Sequence, residues 1–126
     1  MGFKIFIFVI NLMIPVTMLF FGIVFRKHGP KNINGIYGYR TSMSMKNKET
    51  WEFAHQYCGK LWAKLGFIML IITIIASALV FMFEDDVQGI IEVVLVAIQT
   101  IILITSIFPV ESALKKNFDK SGNRKN

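Results

Sequence analysis

The residues best suited to chemistry in this chain are few, and they form no recognisable catalytic set. His55 and Cys58 stand three residues apart, a spacing that lets two side chains on one helix face bind a metal ion. A zinc site needs three or four such ligands, and the chain offers only one further histidine, His28. We therefore expect no metal and no cofactor, and we interpret Cys58 as a small buried hydrophobic residue.

Acidic residues cluster in one short segment, which contains Glu84, Asp85 and Asp86 and is followed by Glu92. Such a charge run is usually a solvated turn, and the functional alternative is a lip that binds a cation or a basic peptide. The sequence contains no glycine-rich phosphate loop and no Ser/His/Asp set in a recognisable context. We therefore expect that the protein is not an enzyme.

Three long apolar runs make up most of the sequence, at residues 5–25, 65–83 and 90–110. Hydrophobic residues account for 54% of the chain, and the mean hydropathy is +0.55. A helix of about 20 apolar residues crosses the hydrocarbon core of a bilayer. A soluble chain of 126 residues could not bury three such helices. The predicted fold class is all-α integral membrane, with three transmembrane helices in one domain over residues 1–118.

Basic residues are concentrated in two of the segments outside the spans. Residues 26–64 contain eight Lys or Arg against two acids, whereas the turn at 84–89 contains no basic residue and the tail after 110 is again basic. Cytoplasmic loops accumulate Lys and Arg, so we predict a bacterial cell-membrane protein with its N-terminus outside and its C-terminus in the cytoplasm. A cleavable signal peptide is the alternative, but it would place the most basic loop outside. The net charge of +6 then indicates contact with anionic lipid headgroups, not direct nucleic-acid binding.

The segment 26–64 is predicted to be a loop followed by a cytoplasmic amphipathic helix that leads into the second span. Ser44 or Asn47 can cap this helix, and Glu49 lies in its first turn, where it complements the helix dipole. Its aromatic residues predict an interfacial belt, or alternatively a face that packs on the loop at 37–41. These residues are Trp51, Tyr57 and Trp62.

Prolines and charges shape the other predicted elements. Pro15 is expected to kink the first helix. The third helix is expected to continue past Pro109, with Glu111 and Lys115 as an ion pair one turn apart. Residues 119–126 are polar and basic, so we predict a disordered tail.

Five polar residues lie within the predicted spans, and they are candidates for an intramembrane site: Asn11, Thr73, Ser77, Glu92 and Gln99. Polar groups in lipid must find partners, so these side chains should face the bundle interior. They either fix helix packing through hydrogen bonds or form a polar groove that meets a ligand in the outer leaflet. Glu92 is the best candidate for a functional charge there, although it could instead snorkel to the interface.

The loop and the helix after it contain an ordered set of small, polar and aromatic residues. The sequence reads G-Y-R-T at 38–41, then a serine, an asparagine and a tryptophan before small residues and a span. This set resembles the signature of the SdpI family of bacterial membrane immunity proteins, and the resemblance covers about residues 32–62. The matching positions are Gly38, Tyr39, Arg40, Thr41, Ser44, Asn47 and Trp51.

The resemblance implies a protein that protects its cell against a secreted peptide toxin by binding. It also implies a possible signalling role, in which the membrane protein recruits a cytoplasmic transcriptional repressor. Larger family members carry an additional N-terminal membrane half, and we expect only the three-helix module here. A third hypothesis, from the polar residues alone, is a small transporter subunit that would need several copies of the chain to form a path.

Arg40 has several possible roles on residue type alone. It lies between two tyrosines and before an aromatic helix, so it could stack on Trp51, cap the carbonyls of a span or bind a lipid phosphate. Arg40 and Asn47 either fold the loop against the second helix or contact a ligand or partner directly.

Overall fold

The computed structural model describes residues 2–125, except for the side chain of residue 28. The described chain folds into four helices: α1 Gly2–His28, α2 Lys48–Val80, α3 Asp85–Thr105 and α4 Ile107–Asn117. Three helical segments are long and apolar enough to cross a membrane, namely Gly2–Lys27, Lys48–Val80 and Asp85–Asn117. The protein is therefore a multi-pass membrane protein whose loop end, at residues 29–47, lies opposite its turn end, at residues 81–84.

The α2 helix is longer than a bilayer requires. At 33 residues it extends about 50 Å, whereas the hydrocarbon core is about 30 Å thick. Its apolar stretch begins at residue 65, so the first half projects beyond the hydrocarbon at the loop end. Asn47 caps it: the Asn47 side chain accepts from the N–H of Thr50 at 2.9 Å, and the Thr50 hydroxyl accepts from the N–H of Asn47 at 3.0 Å.

The bundle is apolar outside and partly polar inside, the reverse of a soluble protein. The fully buried residues of α3 are Gln88, Glu92 and Gln99, while the large aliphatic residues of the same helix are mostly exposed. Lipid solvates an exposed aliphatic surface at no cost, and polar side chains must be removed from it. The distribution of side chains therefore supports the membrane assignment independently of hydropathy.

The α1 and α2 helices pack closely because small residues line their contact. A Cβ atom added to Gly59 would lie 2.5 Å from the backbone nitrogen of Arg26, and one added to Gly66 would lie 2.6 Å from that of Leu19. Gly22 faces the backbone of Ala63 in the same way. Small residues at this spacing let helix backbones approach in membranes, where van der Waals packing is the main source of helix association.

The third span continues past Pro109 as predicted, with a single interruption in the helix. The helix breaks at Ser106, where the backbone has φ −64° and ψ −17°, and α4 starts immediately afterwards. Pro109 has no N–H to bond the carbonyl of Thr105, so the helical hydrogen-bond ladder is interrupted there. The Ser106 hydroxyl donates to the carbonyl of Leu103 at 2.5 Å and accepts from the indole N–H of Trp62 at 3.0 Å, which holds α3 against α2.

Residues 118–125 form a compact turn where composition predicts disorder. The Asp119 carboxylate accepts from the N–H groups of Ser121 and Asn123, both at 2.9 Å. The turn docks on the start of α2 through Gly122, whose carbonyl accepts from the Asn47 amide at 2.7 Å. Arg124 also pairs with Glu49 at 2.7 Å. These contacts stabilise a segment that has little apolar surface of its own.

Trp51, one of the three residues of the predicted aromatic belt, packs against protein and not lipid. Trp51 is fully buried, and its indole N–H donates to the carbonyl of Pro30 at 2.7 Å, so its assignment to the headgroup layer is wrong. The loop and α4 pack against this half of α2, which explains why an amphipathic pattern in the sequence faces protein. The buried cluster there consists of Phe25, Tyr39, Ala54, Cys58, Val110, Leu114 and Phe118.

Candidate functional site

The five intramembrane polar candidates are all buried, at 0–2% exposure, and four of them are joined by hydrogen bonds that cross between the three long helices. The Asn11 amide of α1 donates to the carboxyl of Glu92 in α3. The Gln99 amide of α3 donates to the Thr73 hydroxyl of α2 at 2.8 Å and to the backbone carbonyl of Asn11 at 3.1 Å. Gln99 thus connects all three membrane helices at one level.

Several polar atoms of this cluster have no hydrogen-bond partner among the described residues. They are Oδ1 of Asn11, Oγ of Ser77, Oε1 of Glu92, Oε1 of Gln99, and both amide atoms of Gln88. A buried polar atom without a partner costs roughly 1–3 kcal/mol, so six in one cluster are unusual. The sequence reasoning did not select Gln88, although it lies one helical turn before Glu92 and is 3% exposed.

A crevice opens beside Asn11 and Glu92. It lies between α1 and α3, has a volume of about 200 Å³, and is otherwise lined by aliphatic side chains. Oδ1 of Asn11 and Oε1 of Glu92 are both unpaired among the described residues, and they are buried directly behind the aliphatic wall of the crevice. Such acceptors suit a ligand with a cationic or N–H donor group.

The motif loop is a second site, and His55 holds it on α2. The Nε2 atom of His55 accepts from the backbone N–H of Tyr39 at 2.8 Å, and its Nδ1 atom lies 2.8 Å from the carbonyl of Trp51. Burial lowers the pKa of His55, so the ring stays neutral. Gly38 lies directly over the ring with φ +112°, and a Cβ atom there would approach Nε2 to 2.5 Å. Both ring nitrogens are occupied, so His55 is not free to ligate a metal with Cys58.

Glu111 fastens the other side of the loop to α4. Its Oε2 atom accepts from the Tyr39 hydroxyl at 2.7 Å and from the Thr41 hydroxyl at 2.9 Å. Burial and the hydrogen bond to Glu111 raise the pKa of Tyr39 above its ordinary value, which keeps the phenol a donor. Among the ion pairs of the described chain, the predicted pair of Glu111 with Lys115 is absent, because the carboxylate turns toward the loop.

The remaining motif residues fold the loop onto itself. The buried Ser44 hydroxyl donates to the carbonyl of Tyr39 at 3.0 Å and accepts from the N–H of Thr41 at 2.9 Å. Asn47 caps α2, and Trp51 donates to Pro30. Arg40 differs from all of these because it is exposed and donates only to the carbonyl of Gly35 among the described residues.

The comparisons with known proteins identify the family of the chain. The model of the SdpI/YfhL protein family matches residues 31–110 of the chain, which is more than half of it. The chain belongs to the SdpI/YfhL protein family. A Bacillus subtilis (strain 168) protein named YfhL and described as uncharacterized is 36% identical over 52 residues. That match covers 41% of this chain and 47% of the relative, so the chain matches about half the length of YfhL. No solved structure matches the chain.

The region shared with the SdpI/YfhL family does not contain every residue of the two sites. It includes all seven motif positions and four of the five intramembrane candidates. Asn11, on α1, and Glu111, on α4, lie outside it. Sequence reasoning missed Glu111 and His55 as partners of the loop, and their only signal was a polar residue on a helix.

Proposed function

We propose that this SdpI/YfhL family protein protects a bacterial cell against a secreted peptide toxin by binding the toxin within the membrane, without catalysis. The observation that carries the proposal is the apolar crevice beside Asn11 and Glu92, together with the two unpaired acceptor atoms buried behind its wall. Family membership supports the immunity class, and the crevice supplies a place where a peptide can be bound from within the lipid.

The charge distribution supports an outward orientation for this crevice. Basic residues crowd the loop end, whereas the turn end carries Glu84, Asp85 and Asp86 with Lys4, which pairs with Asp85 at 3.2 Å. Under this orientation, Asn11 and Glu92 lie in the outer half of the membrane. A toxin that inserts from outside would reach them first.

Binding explains the cluster better than transport by one chain. The polar residues extend from Gln88 near the turn end to Thr73 and Gln99. At the next level toward the loop end, the buried side chains of Met18 on α1 and Met69 on α2 are apolar. A site that opens on one side favours a binding pocket over a path across the bilayer.

The test uses a toxin-sensitive strain that lacks any SdpI/YfhL family gene and expresses this protein. Cells are challenged with secreted peptide toxins from neighbouring strains, and the inhibitory concentration is measured. We expect protection by the wild type and a loss of at least tenfold in Glu92→Gln, which corresponds to about 1.4 kcal/mol of binding free energy. Glu84→Gln removes an exposed acid from the same end and should protect like the wild type.

The two parts of the proposal fail in different ways. Unchanged sensitivity with the wild type across a broad toxin panel would reject immunity. Protection by the wild type that Glu92→Gln retains in full would keep immunity and reject the crevice as its site. Membrane abundance of each variant is measured in parallel, because a protein that is not inserted cannot protect.

Recruitment of a cytoplasmic repressor is the second candidate function, and the exposure of Arg40 favours it. The other motif residues build the loop, whereas the Arg40 side chain is left at the surface. A pull-down with Arg40→Ala tests this function. If the protein recruits a repressor through Arg40, the variant should lose a soluble partner while it remains in the membrane.

A further inference from the structure

An apolar groove of about 510 Å³ lies at the loop end, separate from the Glu92 crevice. Its volume falls within the range of about 300–1,000 Å³ that is typical of ligand sites. One wall is the loop segment 36–41. The other walls are apolar side chains from the helices, principally Phe21, Phe25, Trp62, Leu103, Ile104 and Ile107.

The groove spans the boundary between hydrocarbon and headgroups. Phe21 and Ile104 belong to the predicted spans, whereas Arg40 is at the loop. The Tyr37 ring packs on Phe21 and Phe25, with centroids 6.2 Å and 5.9 Å apart, so the loop turns back toward the membrane. The loop tip also presents Ile36, which is 91% exposed and unsuited to water.

Arg40 is the charged residue that lines this groove. Its guanidinium has five N–H donors, and in the described chain it donates to one acceptor, the carbonyl of Gly35. Glu111 does not line the groove, and its carboxylate is bound by the hydroxyls of Tyr39 and Thr41. The groove therefore combines a long apolar channel with one available cation at its rim.

We propose that this groove binds one anionic phospholipid, with an acyl chain against Phe21, Trp62 and Ile104 and the lipid phosphate on Arg40. An acyl chain has no hydrogen-bonding groups, so apolar walls satisfy it completely. An extended peptide in the same channel would leave backbone N–H and C=O groups without partners. Arginine at the headgroup level binds phosphate through paired N–H donors, and anionic lipids are enriched in the cytoplasmic leaflet.

Trp62 provides a direct readout of this site. The protein is reconstituted in nanodiscs that contain equal fractions of phosphatidylglycerol and phosphatidylcholine, and the acyl chains of one lipid or the other are brominated. Bromine quenches tryptophan on contact. Trp51 is fully buried, and the Trp62→Phe variant measures its background. The two leaflets of a nanodisc have the same lipid composition, so the quenching does not depend on which way the protein is inserted.

We expect brominated phosphatidylglycerol to quench Trp62 more strongly than brominated phosphatidylcholine. This preference should fall about fivefold in Arg40→Gln, the factor expected for one surface cation on an anionic membrane. The control is Lys46→Gln, which removes an exposed charge from the same loop outside the groove and should retain the preference.

Three results would overturn the proposal. Equal quenching by the two brominated lipids in the wild type would show no selectivity for the anionic headgroup. A preference that Arg40→Gln leaves unchanged would place the phosphate elsewhere. An equal loss in Arg40→Gln and Lys46→Gln would reveal only general attraction between a basic protein and an anionic bilayer.

Discussion

The backbone N–H of Tyr39 donates to Nε2 of His55 at 2.8 Å, and this contact defines the proton arrangement of the ring. Nε2 must be unprotonated to accept, so the proton lies on Nδ1 and is donated to the carbonyl of Trp51 at 2.8 Å. Protonation of His55 would therefore remove the acceptor that holds the motif loop on α2.

This arrangement predicts acid sensitivity. The pKa of His55 is lowered by burial, so the stabilising contribution is complete above the ordinary value of about 6.5 and is lost as pH falls below it. We expect the free energy of unfolding to fall between pH 6.5 and 5 by up to about 1.4 kcal/mol per pH unit. Thermal unfolding in detergent measures it in a His28→Gln background, where His55 is the sole histidine. The same pH dependence in His55→Gln would contradict the assignment.

Gly38 should not tolerate even alanine. Its φ of +112° is closed to most side chains, and an added Cβ atom would overlap the His55 ring. We expect Gly38→Ala to lower the free energy of unfolding by about 2 kcal/mol, measured by thermal unfolding. Gly35 belongs to the same loop but has open space around it, so Gly35→Ala should have little effect. Equal effects of the two substitutions would show that the loop is not closed over His55.

Tyr39 and Glu111 should be energetically coupled. The phenol donates to a partly buried carboxylate at 2.7 Å, and hydrogen bonds to charged groups contribute roughly 1.5–3 kcal/mol. A double-mutant cycle with Tyr39→Phe and Glu111→Gln should give a coupling energy of about 1.5 kcal/mol. Glu52 is an exposed acid on α2, and its cycle with Tyr39→Phe should show coupling near zero. Comparable values in both cycles would rule out a specific contact.

Gly59 should be required for the contact between α1 and α2. A Cβ atom there would meet the backbone of Arg26, which cannot move without shifting the helix. We expect Gly59→Ala to lower the free energy of unfolding by about 1–3 kcal/mol, as overpacking usually does. Gly89 on α3 has nothing within 4 Å of an added Cβ atom, so Gly89→Ala should be neutral or slightly stabilising. Thermal unfolding of the two variants in the same detergent checks the difference in sign.

The membrane spans and the buried polar residues could be predicted from the sequence because both follow from local composition: an apolar run predicts a span, and a polar residue within it predicts burial. Three helices long enough to span the membrane are confirmed, and Asn47 caps α2 as one of two expected residues. Burial of Glu92 and Gln99 follows from the cost of exposing polar groups to lipid.

The partners of the loop could not be read in the same way. Glu111 lies 70 positions beyond Thr41, and only the path of the third span brings them together. His55 accepts from a backbone N–H, and every residue type except proline has that group, so the sequence does not indicate which residue is the partner. The sequence left two alternatives open for Trp51, because an amphipathic pattern does not distinguish a lipid surface from a protein surface, and its burial decides for protein.

The docking of residues 118–125 on the start of α2 has a consequence for biosynthesis. Glu111 lies near the end of the third span and Gly122 follows it, yet both supply contacts to the loop between the first two spans. Arg124 is translated later still and pairs with Glu49 at the start of α2. Until the end of the third span and the residues after it are translated, that loop lacks both the Glu111 carboxylate and the docked turn at residues 118–125. The nascent protein must therefore insert its helices with an unfinished loop, and the loop reaches its final form only when translation approaches the end.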